Sequence, residues 1–252
     1  MDRAISLPTK DAFRSFVWQH FLLLLSLYLM TLGVVLCIKS YLGSSVISSL
    51  PLSFSMAGTE GIVPEMSVGG YTILMNFVLV IAQVLVLRKK FAPVQLFQLV
   101  IGFVFGWLID LNMLLTDGLA CESLWAKGLA QFVGCTVMGV GIAFEVRCGS
   151  VTMPGEGITV ALSQVTGIGF PKMKIVVDTS LVLLAIISSF VFFCSWEWNI
   201  IGPGTLFAML YVGWLIKIIS PHMLWFDRVL AYRIGFRRYI FGLARWIYVS
   251  RK

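Results

Sequence analysis

Long apolar runs, separated by short links rich in glycine, proline and charge, set the rhythm of this chain. Six runs approach the length of a membrane crossing: residues 18–41, 71–87, 94–115, 128–147, 174–194 and 201–220. About 20 apolar residues in a helix cross the hydrocarbon core of a bilayer. That core offers no water to the backbone, so each run must close its own hydrogen bonds and is predicted to be a helix. A membrane β-barrel would show ~10-residue segments of strict alternation, and the chain has none. The first run is as long as a full crossing, and no small-residue cleavage site follows it closely. It reads as a retained span rather than a cleaved signal peptide.

One stretch breaks the rhythm. "CGSVTMPGEGITVALSQVTG", residues 148–167, is too polar to cross a bilayer and too regular for a plain loop. It has a counterpart, "GSSVISSLPLSFSMAG" at 43–58, and the two belong to a longer internal repeat. "LGVVLCIKSYLGSS" (32–45) lies over "MGVGIAFEVRCGSV" (138–151), with Gly33 on Gly139 and Gly43 on Gly149. "ILMNFVLVIAQVLV" (73–86) lies over "IVVDTSLVLLAIIS" (175–188), and "FGWLIDL" (105–111) over "VGWLIKI" (212–218). Each half holds three spans, an odd number, so two halves in series must face opposite ways in the membrane. The predicted fold is all-α: six transmembrane helices as two inverted three-helix repeats, each with a short half-helix after its first span. The half-helices are expected over 44–56 and 153–166. Pro154 suits a first helical turn, with Ser150 or Thr152 placed to cap it. Such a piece is either a re-entrant half-helix whose N-terminus faces the solute path, or an interfacial helix that packs a loop.

Composition fixes the class. The 252 residues are 59% hydrophobic and 12% charged, and the mean hydropathy is +0.93. A soluble domain carries about 25% charged residues, so this chain could not cover a water-facing surface. The net charge of +7 gathers at the flanks of the apolar runs: Arg3, Lys10 and Arg14, then Arg88-Lys89-Lys90, then the tail from Arg228. That pattern is topogenic and carries no nucleic-acid motif. Placing the N-terminus in the cytoplasm puts Arg88–Lys90, Lys172, Lys174 and the tail inside, and Glu60, Glu65, Asp117, Glu122 and Glu197 outside. Domain limits follow as a cytoplasmic segment 1–16, repeat one at 17–115, repeat two at 126–221 and a tail at 222–252. The tail mixes arginine with aromatic and aliphatic residues and reads as an amphipathic helix on an anionic leaflet.

No catalytic constellation, P-loop or metal-ligand spacing occurs, so no enzyme activity, cofactor or metal is expected. The five cysteines lack metal or redox spacing and read as small apolar fillers. His20 and His222 stand alone at span edges. Charges inside spans are the candidates for a solute or ion path, because each costs ~2.5–3.5 kcal/mol to insert. They are Lys39 and its repeat partner Glu145, Asp110 and its partner Lys217, Asp178 with its partner Asn76, and Glu156 at the start of the half-helix; Ser150 and Thr152 join them from the polar stretch. Lys39 and Lys217 have snorkelling as an alternative, and Asp178 an interfacial position. Two ion pairs are expected, Lys39–Asp110 and Glu145–Lys217, as gates or as static braces.

The Pro154-Gly155-Glu156-Gly157 segment, its repeat partner and "IGPGTLFAMLYVGWLIKI" (201–218) resemble the YczE/YyaS/YitT family of bacterial membrane proteins. The resemblance covers about residues 15–222 and excludes the tail. It implies a six-span, multi-pass protein of the bacterial inner membrane and no established substrate. Relatives tend to carry an acidic residue at the end of the last segment; Asp110 keeps that pattern in the first half and Lys217 departs from it in the second. The expected function is a secondary transporter or exporter of a small solute or ion, with its path between the repeats. The alternative is a membrane accessory protein that stabilises or regulates a partner, and a homo-oligomer is left open. Substrate, coupling ion and direction are not legible.

Overall fold

The computed structural model of the protein describes residues 10–231, 236, 238–241 and 243–244, with side chains from Phe13. Its elements are helices α1 (Lys10–Lys39), α2 (Val46–Thr59), α3 (Val68–Leu87), α4 (Phe97–Leu115), α5 (Leu124–Cys148), α6 (Pro154–Thr166), α7 (Phe170–Phe193), α8 (Pro203–His222) and α9 (Leu224–Leu230). Two 3-10 turns, Arg88–Lys90 and Pro93–Leu96, join α3 to α4. Among the described residues, six helices are long and apolar enough to cross a membrane, α1, α3, α4, α5, α7 and α8. The chain is therefore a multi-pass membrane protein. At 1.5 Å per residue, the 14 residues of α2 and the 13 of α6 fall short of the ~30 Å core.

Local chemistry sets the ends of these helices. Ser67 accepts from the Gly70 amide at 3.0 Å and Ser123 from Ala126 at 3.1 Å, capping α3 and α5. Gly43 (φ 112°) follows α1 and Gly149 (φ 56°) follows α5. Both need the left-handed region that a side chain disfavours, which is why glycines recur there. Pro154 opens α6 as expected, but Met153 stands at the N-cap and no side chain caps the helix. Neither Ser150 nor Thr152 caps it. Ser150 is turned to His20, with Oγ and Nε2 2.9 Å apart.

α1 is the centre. The most apolar window of α1 is 61% buried inside the protein, against 22–44% for the other five. α1 crosses α5 antiparallel at backbone distance. A Cβ at Gly33 would lie 2.5 Å from the Gly134 carbonyl, and one at Gly141 2.7 Å from the Met30 amide nitrogen. Small residues let membrane helices approach this closely. Met30 and Met138 pack against the glycines of the facing helix, and Leu23, Leu27, Val34 and Val35 of α1 are buried in the same apolar core. Around it, α4 packs on α1 and α8 on α5; α2 lies against α7 and α3, and α6 against α3 and α7.

One neighbour relation is not mirrored. α3 and α4 press together, with Gly69 against Gly106. Gly213, the sequence counterpart of Gly106, meets nothing within 4 Å. A short helix, α9, spans Leu224–Leu230 at the start of the tail, and Phe236 and Arg238–Phe241 carry no helix. The rest of the expected amphipathic tail, and the start of the N-terminal segment, lie outside the described residues.

Candidate functional site

The expected ion pairs do not form. Lys39 Nζ reaches Asp117 Oδ1 at 3.8 Å rather than Asp110. Asp110 instead accepts the Ser67 hydroxyl at 2.7 Å and the Gly69 amide at 2.8 Å. From one end of α4 it closes the free N-terminus of α3, where a carboxylate meets both orphan amides and the positive end of the helix dipole. Lys217 lies exposed on α8, and Glu145 is 3% exposed with Oε2 lacking a protein partner. Asp178 is bonded one helical turn back to Lys174, at 2.8 Å, and Asn76 donates to the Gly102 carbonyl at 3.4 Å. Lys39, Asn76, Asp110, Asp178 and Lys217 are thus spread over the molecule and do not line one path.

The others converge. Glu145, Ser150, Thr152 and Glu156 lie in or beside the connection from α5 into α6. Around the first turn of α6 gather side chains that charge alone did not single out. Gln83 of α3 donates through Nε2 to the Pro154 carbonyl at 3.1 Å. A Cβ added at Gly157 would strike Gln98 Oε1 and lie 2.7 Å from Gln83 Oε1, so glycine makes room for two amide oxygens. Gln83 Oε1, Gln95 Oε1, Gln98 Oε1, Glu145 Oε2 and Thr152 Oγ1 are all buried and have no hydrogen-bond partner among the described residues. A buried unpaired polar group costs ~1–3 kcal/mol, so five at one end of a helix bundle mark a site rather than packing noise. The glutamines were legible as breaks in apolar runs, in "LVIAQVLV" and "VQLFQLV". A search restricted to charges passes over them.

The far face of the bundle has a polar cluster too, and it is closed. Ser40 donates to Gln131 Oε1 at 2.7 Å, and Gln131 Nε2 donates to the Gly204 carbonyl at 2.8 Å. The Gly204 amide donates to the Leu42 carbonyl at 2.7 Å, and the Ser44 hydroxyl to the Ile200 carbonyl at 2.9 Å. This network ties the start of α8 to the turn after α1.

At the N-terminal face the tail lies across the α6 site. Gln19 brackets Tyr239, donating to its carbonyl at 2.8 Å and accepting its amide at 2.9 Å. The Phe241 amide donates to the Ser150 carbonyl at 2.7 Å. Leu243 is buried with Leu87, Val160 and Ala161. Arg147 holds Asp227 of α9 and the Ser220 carbonyl.

A sequence model of DUF6198, a family of unknown function, matches residues 17–221. The chain belongs to that family. The DUF6198 match takes in both short helices and every residue of the α6 site, and stops before α9 and the tail. The uncharacterized protein YyaS of Bacillus subtilis (strain 168) is 24% identical over 198 residues, which is 78% of this chain and 90% of YyaS. The resemblance read from the Pro154–Gly157 and Gly202–Thr205 segments is therefore shown. No solved structure matches the chain.

Proposed function

We propose that the protein is a secondary transporter, an exporter or facilitator of a small solute or ion in the cytoplasmic membrane, and not an enzyme. The observation that carries this reading is the contrast between the two ends of the bundle. The Ser40–Gln131–Gly204 cluster at the far face is bonded within itself, whereas Gln83 Oε1 and Gln98 Oε1 beside Gly157 are buried with no hydrogen-bond partner among the described residues; toward the far end of α4, Asn112 Oδ1 is the exception to this contrast. A protein that moves a solute needs such a place in one state and a sealed opposite end.

The path is proposed to run between two inverted repeats. Exchange the halves, and α2 on α7 becomes α6 on α3, α4 on α1 becomes α8 on α5, and α2 on α3 becomes α6 on α7. The antiparallel α1–α5 crossing maps onto itself. This is the relation expected of an in-plane pseudo-two-fold axis. Both termini are placed in the cytoplasm, because Arg88–Lys90, Lys172 and Lys174 share the N-terminal face and the acidic links lie opposite. Flux into and out of proteoliposomes, scanned over small solutes with imposed Na⁺, K⁺ and proton gradients, tests the function. Protein-dependent flux abolished by Gln98→Leu supports it; none in any arm overturns it.

The α1–α5 seam favours a second reading. Met138 packs on Gly33 and Met30 on Gly141 within one continuous apolar core, as suits a static accessory protein that regulates a membrane partner. Stoichiometric co-purification of one membrane protein, with no flux, would select that reading.

A further inference from the structure

Cys37 and Cys135 stand 98 positions apart in the chain, and folding brings their sulfurs within 3.7 Å where α1 crosses α5. Both are free thiols and both are buried. The helices touch backbone to backbone at this level: a Cβ at Gly134 would lie 3.0 Å from the Cys37 amide nitrogen. Such contact brings facing Cα atoms within the ~7 Å that a disulfide tolerates, so the bond needs side-chain rotation rather than movement of a helix. The other three cysteines have no such mate among the described residues. Cys148 faces the Ser26 hydroxyl at 3.9 Å, Cys121 is buried and Cys194 is exposed.

The surroundings suit a thiol that attacks. Gln131, one turn before Cys135, gives Nε2–H to its sulfur at 3.6 Å. The same amide is held by the Ser40 hydroxyl and by the Gly204 carbonyl, so the donor is fixed in place. An N–H aimed at sulfur favours the negative charge that a thiol carries as it reacts. The pair lies one turn beneath the closed network of the far face. Lys39, two residues beyond Cys37, already reaches the exposed Asp117, so water is close by. A protein oxidoreductase does not reach buried thiols, but a molecule about the size of water enters through the small local openings of a folded chain. The charge pattern places this end outside, on the side where thiols meet oxidants.

We propose that Cys37 and Cys135 are a modification site, a dithiol that hydrogen peroxide converts to a disulfide, fastening α1 to α5 beneath the closed end of the bundle. The Cys135 sulfur, as thiolate, attacks one peroxide oxygen. The O–O bond breaks, and the departing hydroxide joins the proton that the thiol released, giving one water and a sulfenic acid. The Cys37 sulfur then attacks the sulfenic sulfur. The S–O bond breaks, and hydroxide leaves with the Cys37 proton as the second water. The two thiols give up two electrons and two protons, and one peroxide becomes two waters. Contact between the sulfurs makes the second step intramolecular, ahead of further oxidation. What the bond does to flux rests on the transport reading; its formation does not.

Peroxide treatment of the purified full-length protein in detergent, followed by unfolding, maleimide blocking and intact-mass measurement, tests the site. The reduced chain takes five maleimides, one for each cysteine. The folded protein treated with peroxide is expected to take two fewer, to yield a peptide that joins residues 37 and 135, and to recover all its thiols with dithiothreitol. Its Tm should rise by about 5–10 °C, because the bond closes a loop of roughly a hundred residues. Cys37→Ser and Cys135→Ser each abolish the link. The combined Cys121→Ser, Cys148→Ser and Cys194→Ser variant keeps it, and if that variant does not fold, the peptide map of the wild type decides. Protein unfolded before treatment should give mixed pairings instead of one. Folded protein that keeps every thiol, as for cysteines that serve only as packing, overturns the proposal. So does a link between any other two cysteines, or an equal yield of the 37–135 link from folded and unfolded protein. The 37–135 link in a protein that shows no flux, reduced or oxidised, ends the transport reading and keeps the site; flux in a protein that forms no link ends the site and keeps transport.

Discussion

Asp110 and Lys217 occupy the same place in the two halves of the sequence and do different things. Asp110 accepts from Ser67 and Gly69, and so anchors the start of α3 to α4. A carboxylate at a helix N-terminus is worth about 1–2 kcal/mol. Asp110→Ala is therefore expected to lower stability by about that amount in a detergent unfolding assay. Lys217→Ala, on an exposed face, should stay within about 0.5 kcal/mol of wild type. Equal losses at the two positions would contradict these roles. At this scale the sequence showed which residues are polar and which repeat, but not their partners. Lys39 was placed opposite Asp110 because both sit near one membrane face, yet Asp117 in the following link lies nearer.

Among the elements, the same departure reappears as packing. Gly106 sits against Gly69 where α3 meets α4, and a Cβ there would lie 2.5 Å from the Gly69 carbonyl. Backbone cannot move aside cheaply, so Gly106→Ala should cost about 1–3 kcal/mol. Gly213→Ala, in open space, should be neutral or gain up to about 1 kcal/mol from helix propensity. Unfolding curves of the two variants side by side decide the matter. The tail is a second test. Gln19 holds Tyr239 with two hydrogen bonds and also donates to the Cys148 carbonyl at 2.7 Å, so Gln19→Leu is expected to speed limited proteolysis after residue 231 and to lower the stability of the bundle by about 1–3 kcal/mol. Tail cleavage at the wild-type rate would show that Gln19 does not fasten it.

For the whole molecule, orientation is the open quantity that charge predicts best. Cysteines introduced at Arg88 and Lys90 should react with an impermeant thiol reagent only from the cytoplasmic side, and one at Glu60 only from the other. Labelling of Arg88→Cys from outside intact cells would reverse the topology and exchange the sides given to the closed network and the α6 site. Neither outcome alters the fold, since the helix packing does not depend on which face meets the cytoplasm.

What the sequence determined by itself was whatever is local. Six spans follow from uninterrupted apolar length, because lipid forces each such run into a helix. The two short helices follow from Pro154, from Gly43 and Gly149, and from runs too short to cross. The glycine turns follow from backbone angles that few other residues adopt. The tertiary structure alone decided which polar groups meet. Successive residues of a helix point 100° apart, so a side chain's partner depends on how its helix is rotated and paired, and neither is written in one segment. Hence Glu145 could be singled out as costly without its neighbours being known. Gln83 and Gln98, uncharged and on consecutive spans, became a site only when α3 and α4 brought them to Gly157, far along the chain from both.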